Sequence, residues 1–197
     1  MLFSNFFFSV NCSQTVVSLG MIQKLLLSIG LLVFSLNQAI AEYETTRLFA
    51  KGYWSVDLTY NTESGGFWCA AKTSNRSGQE FIITAYDSGN ATVFVFDYNW
   101  SLTKRPVHFL IDIDYSRWTI EGNANDISVS VALNDGGKAG KFISELAAGS
   151  AVAIFNADER RLATFSLRGS KAALTQLASC WRKISDTDPF QTSTDPF

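Results

Sequence analysis

Hydrophobic and polar residues alternate with a period of two along much of the chain after residue 50. Apolar side chains occupy every second position in residues 54–60, 107–113 and 127–133. Successive side chains of a β-strand point to opposite faces, so this pattern predicts strands with one buried face. Further strands are expected at residues 66–72, 80–86, 92–98, 118–121, 151–155 and 161–167.

Two segments follow a helical period instead. Residues 138–148 place Phe142, Ile143 and Leu146 on one stripe, and Gly149 follows as a natural stop. Residues 170–181 begin with a serine able to cap a first turn, and their apolar side chains share one face: Ala173, Leu174, Leu177, Ala178 and Trp181. Together these elements predict a mainly β protein, an antiparallel β-sandwich or flattened barrel with one internal helix and a C-terminal helix.

Residues 21–41 have the three parts of a secretory signal peptide. Lys24 supplies the positive charge, an apolar run fills residues 25–36, and a small-x-small cleavage box ends at Ala41. We therefore expect cleavage after Ala41, a mature chain that begins at Glu42, and a periplasmic or secreted protein.

Residues 1–20 carry no charge and four phenylalanines. A signal peptide carries its positive charge before the apolar run, so this stretch is interpreted as an upstream extension from a start codon assigned too early. The alternative is an uncleaved membrane anchor that combines both apolar stretches. Against it, residues 11–15 are polar, and residues 25–36 are shorter than the roughly 20 residues of a membrane-spanning helix.

The 156 residues after the signal peptide are expected to form a single β-rich domain over residues 42–185, followed by a disordered tail over residues 186–197. This part has 15 Lys and Arg against 18 Asp and Glu, with the signs well mixed. The absence of a basic stripe argues against nucleic-acid binding. We expect no membrane span in the mature form, no cofactor and no metal.

Cys69 and Cys180 are the cysteines that remain after cleavage. Exported proteins reach an oxidising compartment, where such a pair forms a disulfide. A reactive thiol pair is the alternative, but the sequence contains no C-x-x-C and neither cysteine has an activating neighbour. We expect a structural disulfide between Cys69 and Cys180.

The elements also follow a recognisable order. They are Trp-Ser-Val at residues 54–56, a strand containing Cys69, Phe-Ile-Ile at 81–83, a strand at 110–114, a helix, glycine and strand over 142–155, and a closing strand, glycine and helix over 165–174. In order and spacing they resemble exported bacterial proteins of the invasion-associated locus B type. The chain lacks that family's cysteine after the opening strand and its central cysteine pair. The resemblance implies a periplasmic or surface-associated β-sandwich that acts in host interaction or envelope function.

Candidates for catalysis are few. His108 is the single histidine and belongs to a predicted strand, on the face opposite Val107. A hydrolase would need a polar cleft that gathers His108, Asp112 and a serine, but the sequence has no G-x-S-x-G elbow. We therefore expect no catalytic residues and keep a hydrolase as the alternative.

Phe94, Phe96, Tyr98 and Trp100 are predicted to share one face of a strand, with Val93 and Val95 on the other. If that face is exposed, the four aromatic rings form a platform for stacking a sugar or peptide. The other interpretation is that they belong to the core.

The tail repeats Asp-Pro-Phe, and its final residue, Phe197, is the kind of ligand that a PDZ-type domain captures. The combined pattern favours a non-enzymatic binding protein whose partner is an unknown envelope or host protein. A structural envelope protein without a ligand is a further alternative.

Overall fold

A computed structural model describes residues 42–185 of the chain. The expected upstream extension, signal peptide and tail, with Phe197, lie outside the described residues. The described elements follow one another in this order: β1 (Tyr43–Lys51), β2 (Trp54–Asn61), β3 (Phe67–Ser74), β4 (Glu80–Tyr86), β5 (Ala91–Phe96), β6 (Leu102–Ile113), β7 (Ser116–Asp126), β8 (Ser128–Ala132), α1 (Gly136–Ala148), β9 (Ala151–Asn156), β10 (Arg161–Ser166) and α2 (Ser170–Ser185).

The ten strands form one antiparallel sheet in the order β1-β2-β3-β4-β5-β8-β7-β6-β9-β10. Strands β1 to β5 are consecutive neighbours, whereas β8, β7 and β6 are added in reverse order before β9 and β10. The predicted fold class is confirmed: the protein is mainly β and antiparallel, with one internal and one C-terminal helix. Strand pairing does not close the sheet, because β1 and β10 are both edge strands.

The core is built by the alternate positions that the sequence pattern marks as apolar. Val56, Ile83 and Val93 from the first half of the sheet are at most 1% exposed, as are Ile111 and Ile154 from the second half. The rings of Phe81 on β4 and Phe165 on β10 lie 5.7 Å apart and connect the first half of the sheet to its last strand. The sheet therefore folds back on itself around a shared core.

On the edge of β10 that has no strand partner, side chains instead of a further strand donate hydrogen bonds to main-chain carbonyls. The Trp54 indole donates to the Ser166 carbonyl at 3.1 Å, the Asn75 amide to Thr164 at 3.3 Å, and the Gln79 amide to Leu162 at 3.1 Å. Carbonyls two residues apart on a strand point to the same side. These three hydrogen bonds form what we term the β10 seam, which closes the fold where strand pairing stops.

Helix α1 lies against β7. The Asp135 carboxylate caps its first turn by accepting from the amides of Gly137 and Lys138. Phe142 and Leu146 are buried, as the helical stripe predicts, and the Trp118 indole of β7 donates to Glu145 at 2.7 Å. These contacts hold α1 against β7, in the second half of the sheet.

Helix α2 is attached by the predicted disulfide. Cys180 is bonded to Cys69 on β3, with 6.1 Å between their Cα atoms, and both residues are buried. The sequence suggests that the Ser170 hydroxyl caps the first turn of α2. In the structure this hydroxyl instead donates to the Leu146 carbonyl at 2.7 Å. Ser170 thus connects the start of α2 to the end of α1.

Candidate functional site

The structure separates the four aromatic residues that were predicted to share one strand face, which we term the aromatic row: Phe94, Phe96, Tyr98 and Trp100. Val93 and Val95 are core residues, while Phe94 and Phe96 lie half-buried on the opposite face of β5, with ring centroids 5.7 Å apart. β5 ends at Phe96, and the residues after it turn. Phe94 and Phe96 therefore stay together on the outer face, and the other two aromatic residues of the row leave it.

The turn after β5 decides where those two aromatic residues go. The amide of Trp100 donates to the Asp97 carbonyl at 2.9 Å, which breaks the strand alternation. Tyr98 is left 65% exposed, and Trp100 packs against the edge of the core. The described structure does not bring the four rings into one platform, and a sugar or peptide platform at Phe94 and Phe96 stays a prediction.

Asp97 holds that turn in place. Its carboxylate accepts hydrogen bonds from the main-chain and side-chain amides of Asn99, at 2.9 and 3.0 Å, and from the Gln79 amide at 2.7 Å. Burial raises the pKa of Asp97, but these donors outweigh it and hold the pKa below its usual value of 3.8. Because Gln79 also belongs to the β10 seam, Asp97 connects the turn to that seam.

The residues proposed for a hydrolase do not converge. His108 is exposed on β6, and Asp112 lies four residues further along the same strand, about 13 Å away. Both oxygens of Asp112 accept from Arg117 at 2.8 Å, and this guanidinium holds the pKa of the carboxyl below its usual range. Asp112 is therefore committed to Arg117 and does not orient an imidazole.

His108 instead borders a concave site that we term the β6 cleft. The cleft has a volume of about 520 Å³ and lies between the first half of β6 and the turn joining β9 to β10. Core residues form its floor: Phe109, Ala124 and Val129. Half-buried apolar residues form its walls, namely Trp100, Leu102, Val107 and Leu162. Polar and charged residues surround its mouth, namely Arg105, His108, Asn156, Asp158 and Arg160.

One edge of β6 is unpaired beside this cleft. β7 pairs with β6 along its length, from Leu102 to Ile113, whereas β9 pairs only from Phe109 to Ile113. Within residues 42–185, no strand pairs with the second edge of residues 102–108. The main-chain groups on that edge have no strand partner and can pair with an added strand, except that Pro106 has no N–H to donate.

The mouth of the cleft is more cationic than anionic. Arg105 and Arg160 are both exposed, and Asp158 is the acidic residue among those lining the cleft. The Arg105 guanidinium donates to the carbonyl and hydroxyl of Thr103 on its own strand. The Arg160 side chain has no hydrogen bond or ion pair with any residue of the described range, so its guanidinium is free to meet an anionic group.

The sequence pattern does not predict this edge. It starts the strand at Val107, because residues 102–106 do not alternate and Pro106 suggests a break. Proline is tolerated on an edge strand where its missing N–H faces away from the ladder. Only the lengths of β6 and β9, seen together, show that one strand extends beyond its partner.

Among the described residues, no group of three or more histidines, cysteines and carboxylates is arranged to hold a metal ion. The two helices of residues 42–185 are both too short or too polar to cross a bilayer. Comparisons of the chain with protein-family models, with curated proteins and with solved structures find no match. The interpretation of the site therefore depends on its geometry.

Proposed function

We propose that this protein is an exported, non-enzymatic binding protein, periplasmic or surface-associated, that acts in host interaction or envelope function. Its β6 cleft and the free edge of β6 hold an extended segment of an envelope or host protein. One observation carries the proposal: β6 extends beyond its pairing with β9 directly beside an apolar cleft. An unpaired strand edge supplies main-chain hydrogen bonds, and a neighbouring pocket selects a side chain.

The chemistry of the cleft specifies the segment. Phe109 and Trp100 offer an apolar surface that suits one aromatic or aliphatic side chain. Since only every second residue of an added strand points towards the cleft, one residue of the segment provides that side chain. Arg105 and Arg160 at the mouth favour acidic residues on either side of that anchor. The expected ligand is therefore an extended acidic segment with an apolar residue at its centre.

Two features support export. The signal-peptide pattern ends at Ala41, and the domain after it carries a disulfide between Cys69 and Cys180. Disulfides persist in the periplasm and outside the cell and are rare in the cytosol. N-terminal sequencing of the protein from culture medium or periplasm is expected to begin at Glu42. A first residue near Leu2 would contradict cleavage and favour the membrane-anchor alternative.

Two matched peptides test the binding site. Acetylated, amidated Asp-Val-Phe-Val-Asp is expected to shift the amide NMR signals of residues 102–105, 107 and 108 on titration, whereas Lys-Val-Phe-Val-Lys is expected to bind at least about tenfold more weakly. Equal binding of both peptides, or signals that shift only elsewhere, would contradict the assigned site. No binding of either peptide would favour the structural protein without a ligand.

Charge reversal gives the corresponding test on the protein. Arg105→Glu combined with Arg160→Glu is expected to weaken binding of the acidic peptide by about tenfold or more, because both guanidinium groups lie at the mouth. Arg168→Glu combined with Lys171→Glu is the matched control, since both residues are exposed and neither lines the cleft. If the control weakens binding equally, overall charge rather than the cleft accounts for the affinity.

A further inference from the structure

The start of β1 has the chemistry expected of a segment that binds the β6 cleft, an apolar residue between acidic ones. Residues 42–185 contain two such triplets, Glu42-Tyr43-Glu44 and Asp112-Ile113-Asp114. Ile113 is 3% exposed and belongs to the core, whereas Tyr43 is 48% exposed. The first triplet is therefore the one that presents its apolar side chain to water.

This triplet continues into a strand with a free edge. β1 lies at one end of the sheet and pairs only with β2. Its pairing is regular from Tyr43 to Arg47 and shifts register before Phe49. An exposed edge strand of this kind is a template for pairing with another chain. Residues 43–47 are therefore an extended segment whose second edge has no strand partner.

The free edges of β1 and β6 carry opposite charges. Residues 102–108 contain Lys104 and Arg105 and no acidic residue, whereas residues 42–46 contain two glutamates and no basic residue. Opposite charges across an interface favour association and select the partner. Successive side chains of an added strand point to opposite faces, so Tyr43 can enter the cleft while both glutamates stay at the surface.

β1 reaches a β6 edge of this kind in another molecule. Within one molecule β1 is held on β2, and six strands lie between it and β6, namely β2, β3, β4, β5, β8 and β7. We propose, on the basis of the strand-addition site assigned under the proposed function, that residues 43–47 of one molecule pair with residues 102–108 of a second copy and that Tyr43 fills its β6 cleft. Donor and acceptor are different surfaces, so the contact is head-to-tail. Self-assembly then competes with the envelope or host segment for one site.

Sedimentation velocity of the full exported chain over a concentration series measures this assembly. Tyr43→Ser is expected to weaken self-association at least about tenfold, because it removes the ring that fills the cleft. Tyr115→Ser is the control, since Tyr115 is fully exposed in the turn between β6 and β7, and it is expected to associate like the wild type. Equal weakening by both substitutions would overturn the inference.

Charge reversal on each edge gives a complementation test. Glu44→Lys alters the donor strand, and Lys104→Glu combined with Arg105→Glu alters the acceptor edge. Each protein alone is expected to associate at least about tenfold more weakly than the wild type. Their equimolar mixture is expected to associate again, because the first keeps a native acceptor edge and the second a native donor strand. Recovery in the mixture also verifies that both variants are folded.

The double variant Arg168→Glu with Lys171→Glu is the control for overall charge. Both residues are exposed and lie outside the β6 cleft, so this protein is expected to associate like the wild type. Weakening equal to that of Lys104→Glu with Arg105→Glu would show that net charge, rather than the β6 edge, accounts for the effect. That result would overturn the inference.

The Glu44→Lys variant separates this inference from the proposed function, because its β6 edge is native. Asp-Val-Phe-Val-Asp and a blocked peptide copied from residues 42–47 are both expected to shift the amide NMR signals of residues 102–105, 107 and 108. Shifts with the first peptide, together with a wild type that stays monomeric, would overturn the inference and leave the proposed function. Failure of both peptides and of self-association would overturn both. Self-association that survives both charge reversals would assign it to another surface and overturn the inference alone.

Discussion

The indole Nε1 of Trp54 donates a hydrogen bond to the main-chain carbonyl of Ser166, 3.1 Å away and 112 residues later in the chain. Trp54 is at the start of β2 and 1% exposed, and Ser166 ends β10. This bond joins the first half of the sheet to an edge strand that has one strand partner. A side chain thus provides the closure that strand pairing does not.

Trp54→Phe is expected to lower the free energy of unfolding by about 1–3 kcal/mol, since it removes the donor to Ser166 and leaves space in the core. Urea unfolding measures this loss. Trp68→Phe serves as the control, because Trp68 is half-buried and makes a ring contact with Tyr43. Equal losses in the two variants would show that the β10 seam adds nothing beyond ring volume.

The Asp97 turn predicts a loss of stability in acid. The pKa of Asp97 is lowered in the folded protein, so its ionised form stabilises the fold above the unfolded value of 3.8. That contribution is lost as the pH falls from about 3.8 through the lower folded pKa. Asp97→Asn is therefore expected to be less stable than the wild type at pH 7, and the difference is expected to shrink below pH 4. Urea unfolding between pH 7 and pH 2.5 measures it.

Asp126→Asn is the control for this pH dependence. Asp126 is exposed and has a positive φ of 50°, which asparagine tolerates. Its stability is expected to follow the wild type across the whole pH range. If Asp97→Asn also kept the wild-type profile below pH 4, the hydrogen bonds from Asn99 and Gln79 would not be the source of the acid sensitivity.

The disulfide predicts a large stability difference. Cys69→Ala with Cys180→Ala is expected to lower the free energy of unfolding by about 2–5 kcal/mol, because the bond constrains residues 111 positions apart in the unfolded chain. Thermal and urea unfolding of oxidised, reduced and mutant protein measure it. Alkylation of both cysteines in the folded protein without prior reduction would contradict the bond.

We expect position 122, a glycine on β7, not to tolerate any side chain. A Cβ at this position would overlap the Ser130 carbonyl oxygen and lie 2.8 Å from the Phe109 ring. Gly122→Ala is therefore expected to cost about 1–3 kcal/mol in calorimetry or urea unfolding, through overpacking. Gly140→Ala, in open space on a helix, is expected to stabilise by up to about 1 kcal/mol. If Gly122→Ala left the free energy of unfolding unchanged, β7 and β8 would have to separate easily.

Strands with one buried face could be predicted from the sequence, and the first strand shows why others could not. β1 is exposed at eight of its nine positions, and because neither of its faces is buried, its sequence does not need to alternate apolar and polar residues. It forms because β2 offers an edge to pair with, from Lys51 to Tyr43. Pairing of this kind depends on the neighbour rather than on the residues of the strand.

The aromatic row shows the same limit at the candidate site. Alternation correctly separates Val93 and Val95 from Phe94 and Phe96, but it extends the row through Tyr98 and Trp100. A hydrogen bond from Trp100 to Asp97 ends the strand there and turns Trp100 towards the core edge. Asp97 itself is held by Gln79, which lies 18 residues earlier. No local pattern contains that contact.

The sequence by itself determined the strand-rich architecture and both helices, because these follow from residue periodicity. It also determined the cysteine pair, because the predicted cleavage after Ala41 leaves Cys69 and Cys180. Only the tertiary structure decided the β10 seam, the β6 cleft and the groove between α1 and α2. Each is formed by groups far apart in the chain: Trp54 donates to Ser166, Phe109 and Leu162 line the same cleft, and Ile143 and Trp181 line the same groove. Periodicity specifies which face a side chain occupies, and only packing specifies what it meets there.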